Sequence, residues 1–206
     1  MKTQNEPTDS ELLQAMLAGD EEALAALYRR RQGSIYRFAL QMCGSQAIAE
    51  DITQEVFMVL IGDCHTFDPA RGSLNSFLLG VARNRVLRRL KRERFYVSIE
   101  EDLDDDQTAK GWSVTTTGPL DDLSRTETVE SVRRAVLSLP ERYREVVVLC
   151  DLQEMNYVET AEVLGCAIGT VRSRLHRARA LLIEKLRPAR EEKVASATEK
   201  SARCFA

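Results

Sequence analysis

Within Arg172 to Arg179 the chain carries four guanidinium groups, on Arg172, Arg174, Arg177 and Arg179, just behind the glycines Gly165 and Gly169. A guanidinium presents a planar fork of donors that fits phosphate oxygens or the O6/N7 edge of guanine. At 100° per residue, Val171, Leu175, Ala178 and Leu182 fall on one stripe that can pack inward. Thr170, Arg172, Ser173, His176 and Arg177 are left on the outer arc. Tyr157 to Leu164 forms a second short helical segment upstream, so the unit reads as helix, glycine-containing turn, helix. That arrangement lays its second helix in the major groove of DNA. Without the preceding helix and turn, the same arginines would read as solvated surface.

Two further clusters could do binding chemistry. Seven basic residues, Arg83, Arg85, Arg88, Arg89, Lys91, Arg92 and Arg94, stand against Glu93 alone. A helix macrodipole accounts for one or two such cations at its end, not for a run of this size, and a polyanionic partner is implied. Asn84, Arg88 and Lys91 share one helical face there. Asp51, Gln54, Glu55 and Met58 stand at i, i+3, i+4 and i+7 on another helix, opposite its apolar stripe. In isolation that is ordinary helix surface, although carboxylates and an amide suit a basic, hydrogen-bonding partner. No catalytic nucleophile, metal set or phosphate-cradling loop stands out. Cys64-His65 lacks a second pair of ligands, and nothing in the chain calls for a cofactor.

These side chains must be held by helices. With 206 residues there is room for two modest domains. The formal net charge of −3 hides a sharp segregation: the basic run is followed, between Val97 and Leu123, by Glu100, Glu101, Asp102, Asp104, Asp105, Asp106, Asp121 and Asp122 against Lys110. Five cysteines, odd in number, far apart and without C-x-x-C spacing, suit a reducing cytoplasm. The polar N-terminus does not read as a signal peptide. No apolar run approaches the roughly 20 residues that span a bilayer, so a soluble, cytoplasmic protein without membrane insertion is expected.

The periodicity predicts an all-α chain. Asp9 can cap a first helix with Leu12, Leu13 and Met16. Gly19-Asp20 punctuates before a second with Leu24, Leu27, Tyr28, Ile35 and Phe38. After Gly44-Ser45 a third carries Ala49, Ile52, Val56 and Val59, and Gly62 ends it. Turn chemistry at Asp68-Pro69 and Arg71-Gly72 marks residues 63–73 as a loop, and a fourth helix begins near Leu74 and runs into the basic cluster. The expected division is a helical domain over 9–95, a flexible acidic linker over 96–123 containing Trp112, a helix-turn-helix domain over 124–187, and a polar, frayed tail over 188–206. In the second domain, helix resumes near Thr126 with Val129, Val132, Val136 and Leu139, and Pro140 opens another through Tyr143, Val146 and Leu149.

Taken together, the segments resemble the bacterial RNA polymerase sigma factors of the compact, two-domain extracytoplasmic-function (ECF) type. Ala49-Glu50-Asp51-Ile52-Thr53-Gln54-Glu55-Val56-Phe57 looks like the polymerase-binding signature. Phe67-Asp68-Pro69-Ala70-Arg71-Gly72-Ser73, with Phe77-Leu78 and Val81-Ala82-Arg83-Asn84, looks like the promoter-melting segment. Leu139-Pro140-Glu141-Arg142-Tyr143-Arg144 and Gly169 to Arg179 look like the second DNA-binding domain. The likeness covers about Glu11 to Leu186. It implies a non-enzymatic initiation factor whose partners are core RNA polymerase and promoter DNA, and family habit adds an anti-sigma factor.

By that resemblance, Asp51, Gln54, Glu55 and Met58 face the polymerase. Phe67, Asp68, Arg71, Ser73, Phe77, Asn84, Arg88 and Lys91 engage and open the minus-ten element, where capture of a flipped base offsets unstacking. Thr170, Arg172, Ser173, His176 and Arg177 engage the minus-thirty-five element, with Thr170 on phosphate and His176 as the place where the chain's own sequence preference enters. The acidic linker would lie in the RNA exit path. The chain departs from the commonest family pattern at Phe77, where many relatives carry Trp, and at Leu74, where they often carry Phe. It departs again at Cys150, where some carry Arg, and at Thr160, where Ile is commonest and a less apolar packing is expected here. A conventional helix-turn-helix repressor or activator is the alternative reading, and the Asp51-Gln54-Glu55 face discriminates against it. A site-specific recombinase would need a nucleophile upstream that the N-terminal half does not offer.

Overall fold

The computed structural model describes residues 6–63, 67–101 and 120–203, which hold helices and no strand among the described residues. The order is α1 (Asp9–Leu17), α2 (Glu21–Cys43), α3 (Gln46–Gly62), α4 (Leu74–Glu101), α5 (Leu120–Leu137), α6 (Glu141–Val147), α7 (Tyr157–Leu164) and α8 (Ile168–Arg203). A π-helical turn, Val148–Leu152, prolongs α6, and a short 3-10 turn, Pro69–Arg71, precedes α4. Cys64, His65, Trp112 and most of the expected linker lie outside the described residues.

Helix starts follow side-chain capping of the first free N–H groups. Thr8, rather than Asp9, caps α1, in a capping box with Glu11. Asp9 is instead drawn to Arg30 and Arg31 of α2. Asp20 caps α2, Ser45 caps α3 and Asn156 caps α7. Gly44 and Gly165 end α2 and α7 in the left-handed conformation that glycine adopts without penalty.

The helices bury the expected stripes, with instructive exceptions. Leu27, Ile35, Phe38, Met42, Leu60, Leu78 and Leu79 are fully buried among α2, α3 and α4, and Val136, Leu139, Val146, Leu149, Val171 and Leu175 among α5 to α8. Val59 is only half-buried and Val129 exposed, while Phe57 and Leu60 complete the α3 face. Helix α4 continues to Glu101, and α5 begins at Leu120, earlier than the expected start near Thr126. Extending a formed helix adds one hydrogen bond per residue fixed, without a new nucleation cost. The tail is likewise helical to Arg203, past Pro188, in a stretch rich in Ala, Glu, Lys and Arg.

The two groups of helices pack on one another, α7 against α4 and α5, α6 and the π-turn against α2. At this seam Arg83 of α4 donates from Nε and Nη2 to the Glu145 carboxylate, at 2.7 and 3.3 Å. Ser34 Oγ donates to Gln153 Oε1 at 3.0 Å, and Arg144 donates to the carbonyls of Met42, Leu137 and Leu139.

Truncating Phe38, whose exposure is 0%, removes the ring at the centre of the N-terminal core. Phe38→Ala is expected to cost about 3–5 kcal/mol, read as a lower urea midpoint with unchanged helix content in water.

Candidate nucleic-acid and partner interfaces

Helix α8 starts where the Ala167 carbonyl accepts from the N–H groups of Thr170 and Val171. Val171, Leu175 and Ala178 are buried and Leu182 half-buried, while Arg172, Ser173, His176 and Arg177 are exposed and Thr170 is half-buried. The structure therefore brings the expected outer arc together on one solvent face.

The four arginines between Arg172 and Arg179 do different things. Arg172 lies over the Tyr157 ring of α7, 5.7 Å from its centroid, a cation–π contact that narrows the positions its guanidinium samples. Arg177 hydrogen-bonds the Tyr143 hydroxyl, and that bond, more than the nearby charges, pulls the phenol below its ordinary value. Arg142 covers the same ring at 4.8 Å. Arg179 grips Asp151 through two bonds of 3.1 and 2.6 Å, so it acts as a strut to the π-turn, and Arg174 is half-buried. Ser173 Oγ donates to the Thr170 carbonyl at 3.1 Å. The pairings of Tyr143, Tyr157 and Asp151 with these arginines had no signal in the sequence, because each pair forms between separate elements of the fold.

Two departures from the family pattern meet in space. Cys150 Sγ lies 3.4 Å from Thr160 Oγ1, and Thr160 is fully buried. The extra hydroxyl thus finds a partner on the π-turn, as a buried polar group requires. Burial pushes the Cys150 thiol above its ordinary value, only partly offset by the Thr160 hydrogen bond.

In the N-terminal half, Asp51, Gln54 and Met58 are exposed and Glu55 half-buried along one face of α3. Asp51 meets Arg89 at 3.5 Å and Glu55 meets Arg85 at 3.3 Å, both on α4. These solvent-accessible pairs are worth about 0–1 kcal/mol each and are readily exchanged for a partner's cations. Met58, 68% exposed, adds an apolar contact beside them, in the composition favoured at interfaces.

Ahead of α4, Asp68 Oδ1 accepts from Ala70 N at 2.9 Å and Ser73 Oγ from Ser76 N at 3.1 Å. Both residues therefore shape the loop as well as lining it. Phe67 and Phe77 pack ring on ring, centroids 5.5 Å apart, and Arg71 ends the 3-10 turn. A cleft opens between this loop, Arg30 and Arg31; neither arginine was singled out by the sequence. Arg31 bonds Asp9 at 2.7 Å and Asn75 at 3.3 Å, joining α1 and α2 to the start of α4. Asn84, Arg88 and Lys91 are exposed together further along α4 and make no ion pair among the described residues.

Residues 27–96 match the family described as Sigma-70 region 2, and residues 130–182 the one described as Sigma-70, region 4. The ECF RNA polymerase sigma factor SigW of Bacillus subtilis is 30% identical over 173 residues, covering 82% of this chain and 91% of that protein. The chain belongs to the ECF sigma factors. SigM of Mycobacterium tuberculosis, another ECF RNA polymerase sigma factor, is 31% identical over 189 residues, with 88% and 86% covered. Among solved structures, CnrH in complex with the cytosolic domain of CnrY superposes with a TM-score of 0.65 at 23% identity, covering 87% of this chain and 97% of that one. The sigma factor RpoE from Bartonella quintana, solved with the anti-sigma factor NepR, gives 0.59 at 24% identity, with 76% and 91% covered. These two share the all-helical fold. As an ECF sigma factor the chain directs RNA polymerase to promoters. No described helix is long and apolar enough to cross a membrane.

A thiol whose pKa is raised holds less thiolate at any given pH, and thiolate is the reactive form. Cys150 of the folded sigma factor is therefore expected to alkylate with iodoacetamide several-fold more slowly at pH 8 than after unfolding in urea, read by peptide mass mapping. Equal rates would contradict the environment described.

Proposed function

We propose that this sigma factor reads a bipartite promoter with the two exposed faces described above, while the α3 face holds core polymerase. Asp51, Gln54, Glu55 and Met58 form the polymerase contact, where a basic partner replaces Arg85 and Arg89 at the carboxylates. The loop carrying Phe67, Asp68, Arg71 and Ser73, with Phe77 beneath it, engages the minus-ten element. Asn84, Arg88 and Lys91 hold the backbone of the opened strand through charge. Arg172, Ser173, His176 and Arg177 read the minus-thirty-five element in the major groove, with Thr170 at phosphate near the helix start.

The observation that carries this reading is the outward arc of α8, set on a buried Val171-Leu175-Ala178 stripe. A helix fixed from behind presents its polar side chains in the register that groove recognition needs. The bond-forming chemistry belongs to the polymerase, and the chain acts beside it in the cytoplasm. The sigma factor RpoE of Bartonella quintana is held in its structure by the anti-sigma factor NepR, which supports an anti-sigma protein as a regulator of this chain as well.

Arg172→Ala is expected to weaken binding of the reconstituted holoenzyme to an upstream promoter duplex by about 1–3 kcal/mol. The loss should be confined to duplexes that keep the base pair it reads, measured by fluorescence anisotropy at fixed salt. An equal loss on every upstream sequence would make Arg172 a phosphate contact.

A further inference from the structure

Tyr143, in the first turn of α6, is only 9% exposed, and its ring belongs to the core where α6 packs on α8. Its hydroxyl is bonded by Arg177, an exposed residue of the recognition helix. Arg142, the exposed neighbour on α6, lays its guanidinium 4.8 Å from the centroid of the same ring and also bonds the hydroxyl. Two cations thus meet at one phenol oxygen. The Arg177 bond is the largest influence holding the phenol below its ordinary value; burial opposes it, and the charges of both arginines add to it. Among the described residues Arg142 makes no ion pair with a carboxylate, whereas Arg179 of α8 is committed to Asp151.

Donor and acceptor capacity decides what this cluster can hold. A guanidinium has only N–H donors and no acceptor, and a phenol oxygen has one donor and two acceptor lone pairs. With both arginines donating to that oxygen, neither can take its proton. The hydroxyl therefore keeps a donor directed away from the two cations, and each guanidinium keeps donors beyond the one it uses on the phenol. A group that satisfies such donors and both charges is an anion with several acceptor oxygens. A DNA phosphate is the anion that lies beside Arg177 when α8 occupies the major groove. The anchored ring also sets direction, because it narrows the rotamers open to Arg177 and so reduces the entropy lost on binding.

We propose that Arg142 and the Tyr143 hydroxyl form a phosphate site for the DNA backbone of the minus-thirty-five element, with Tyr143 also serving as the positioning residue of Arg177. The inference rests on the promoter-reading function proposed above and adds a contact from α6 to those of α8. Arg142 supplies charge that is indifferent to base sequence. Tyr143 supplies direction, since its ring is fixed in the core and its hydroxyl touches both cations. Upstream affinity then divides into a backbone part carried by α6 and a base-reading part carried by the outer arc of α8.

The test uses holoenzyme reconstituted from core polymerase and the full chain, and a duplex carrying a promoter that the wild-type holoenzyme transcribes. Each variant is first checked for an unchanged melting transition. Arg142→Ala, at an exposed position, should bind several-fold more weakly on every upstream sequence and lower the slope of log affinity against log salt by about one. Arg142→Lys should restore that slope. Replacing single backbone phosphates by neutral methylphosphonates should find one position that weakens wild type as much as Arg142→Ala does and weakens that variant no further. Tyr143→Phe keeps the ring and removes the hydroxyl. Combined with Arg177→Ala it should lose less affinity than the product of the two single losses, because the hydroxyl acts through Arg177. A merely structural tyrosine would lower the melting transition and leave the two losses multiplicative. The phosphate site is overturned if Arg142→Ala keeps wild-type affinity and salt slope, and the positioning role if the losses multiply. If Arg172→Ala alone weakens binding, promoter reading stands without this site. A holoenzyme that transcribes no promoter would overturn the promoter-reading function, and the site with it.

Discussion

Arg144 and Glu145, adjacent on α6, tie α2, α4 and α5 to that helix. Arg144 donates to the carbonyl of Met42 in the last turn of α2 and to that of Leu137 at the end of α5, and reaches Leu139 at 3.1 Å. Helix C-termini carry unsatisfied carbonyls and partial negative charge, so one guanidinium serves two helix ends. Glu145 faces the other way and takes Arg83. A buried charge left without its partner costs about 3–5 kcal/mol, whereas an exposed pair such as Asp51 with Arg89 contributes about 0–1 kcal/mol. The same chemistry is thus used for two purposes, one holding elements in place and the other leaving carboxylates available to a partner.

The distribution of arginines follows from that contrast. Along α8, Arg179 is committed to Asp151, whereas Arg172 and Arg177 keep exposed guanidinium groups oriented by Tyr157 and Tyr143. Along α4, Arg83, Arg85 and Arg89 are paired with acids, and Asn84, Arg88 and Lys91 face solvent. A net charge of −3 is therefore compatible with nucleic-acid binding, because Asp51, Glu55, Glu145 and Asp151 are placed where they organise the cations. Aromatic rings beneath the exposed arginines reduce the side-chain entropy lost on binding.

Periodicity and capping residues made much of the architecture readable. Apolar spacing located the buried face of α8, and Asp20, Ser45 and the glycines at 44 and 165 mark real helix ends. The far ends of α4 and α8 were less legible, since once a helix is nucleated its extension depends on small propensity differences. Pairings between distant segments could not be read at all. Tyr157 with Arg172, Asp9 with Arg31 and Glu145 with Arg83 depend on tertiary packing that no local spacing encodes. Cys150 and Thr160 illustrate the same point: each looked like an isolated departure from the family pattern, and together they form a hydrogen-bonded contact.

In the proposed function one chain couples core polymerase to two separated DNA readers. Transcription in vitro from a pool of genomic fragments, with core polymerase and with or without this sigma factor, tests it most directly. A set of new start sites is expected, dependent on the added chain, that share two sequence elements about 25 base pairs apart centre to centre. Unchanged start sites, or new ones sharing no upstream element, would contradict it.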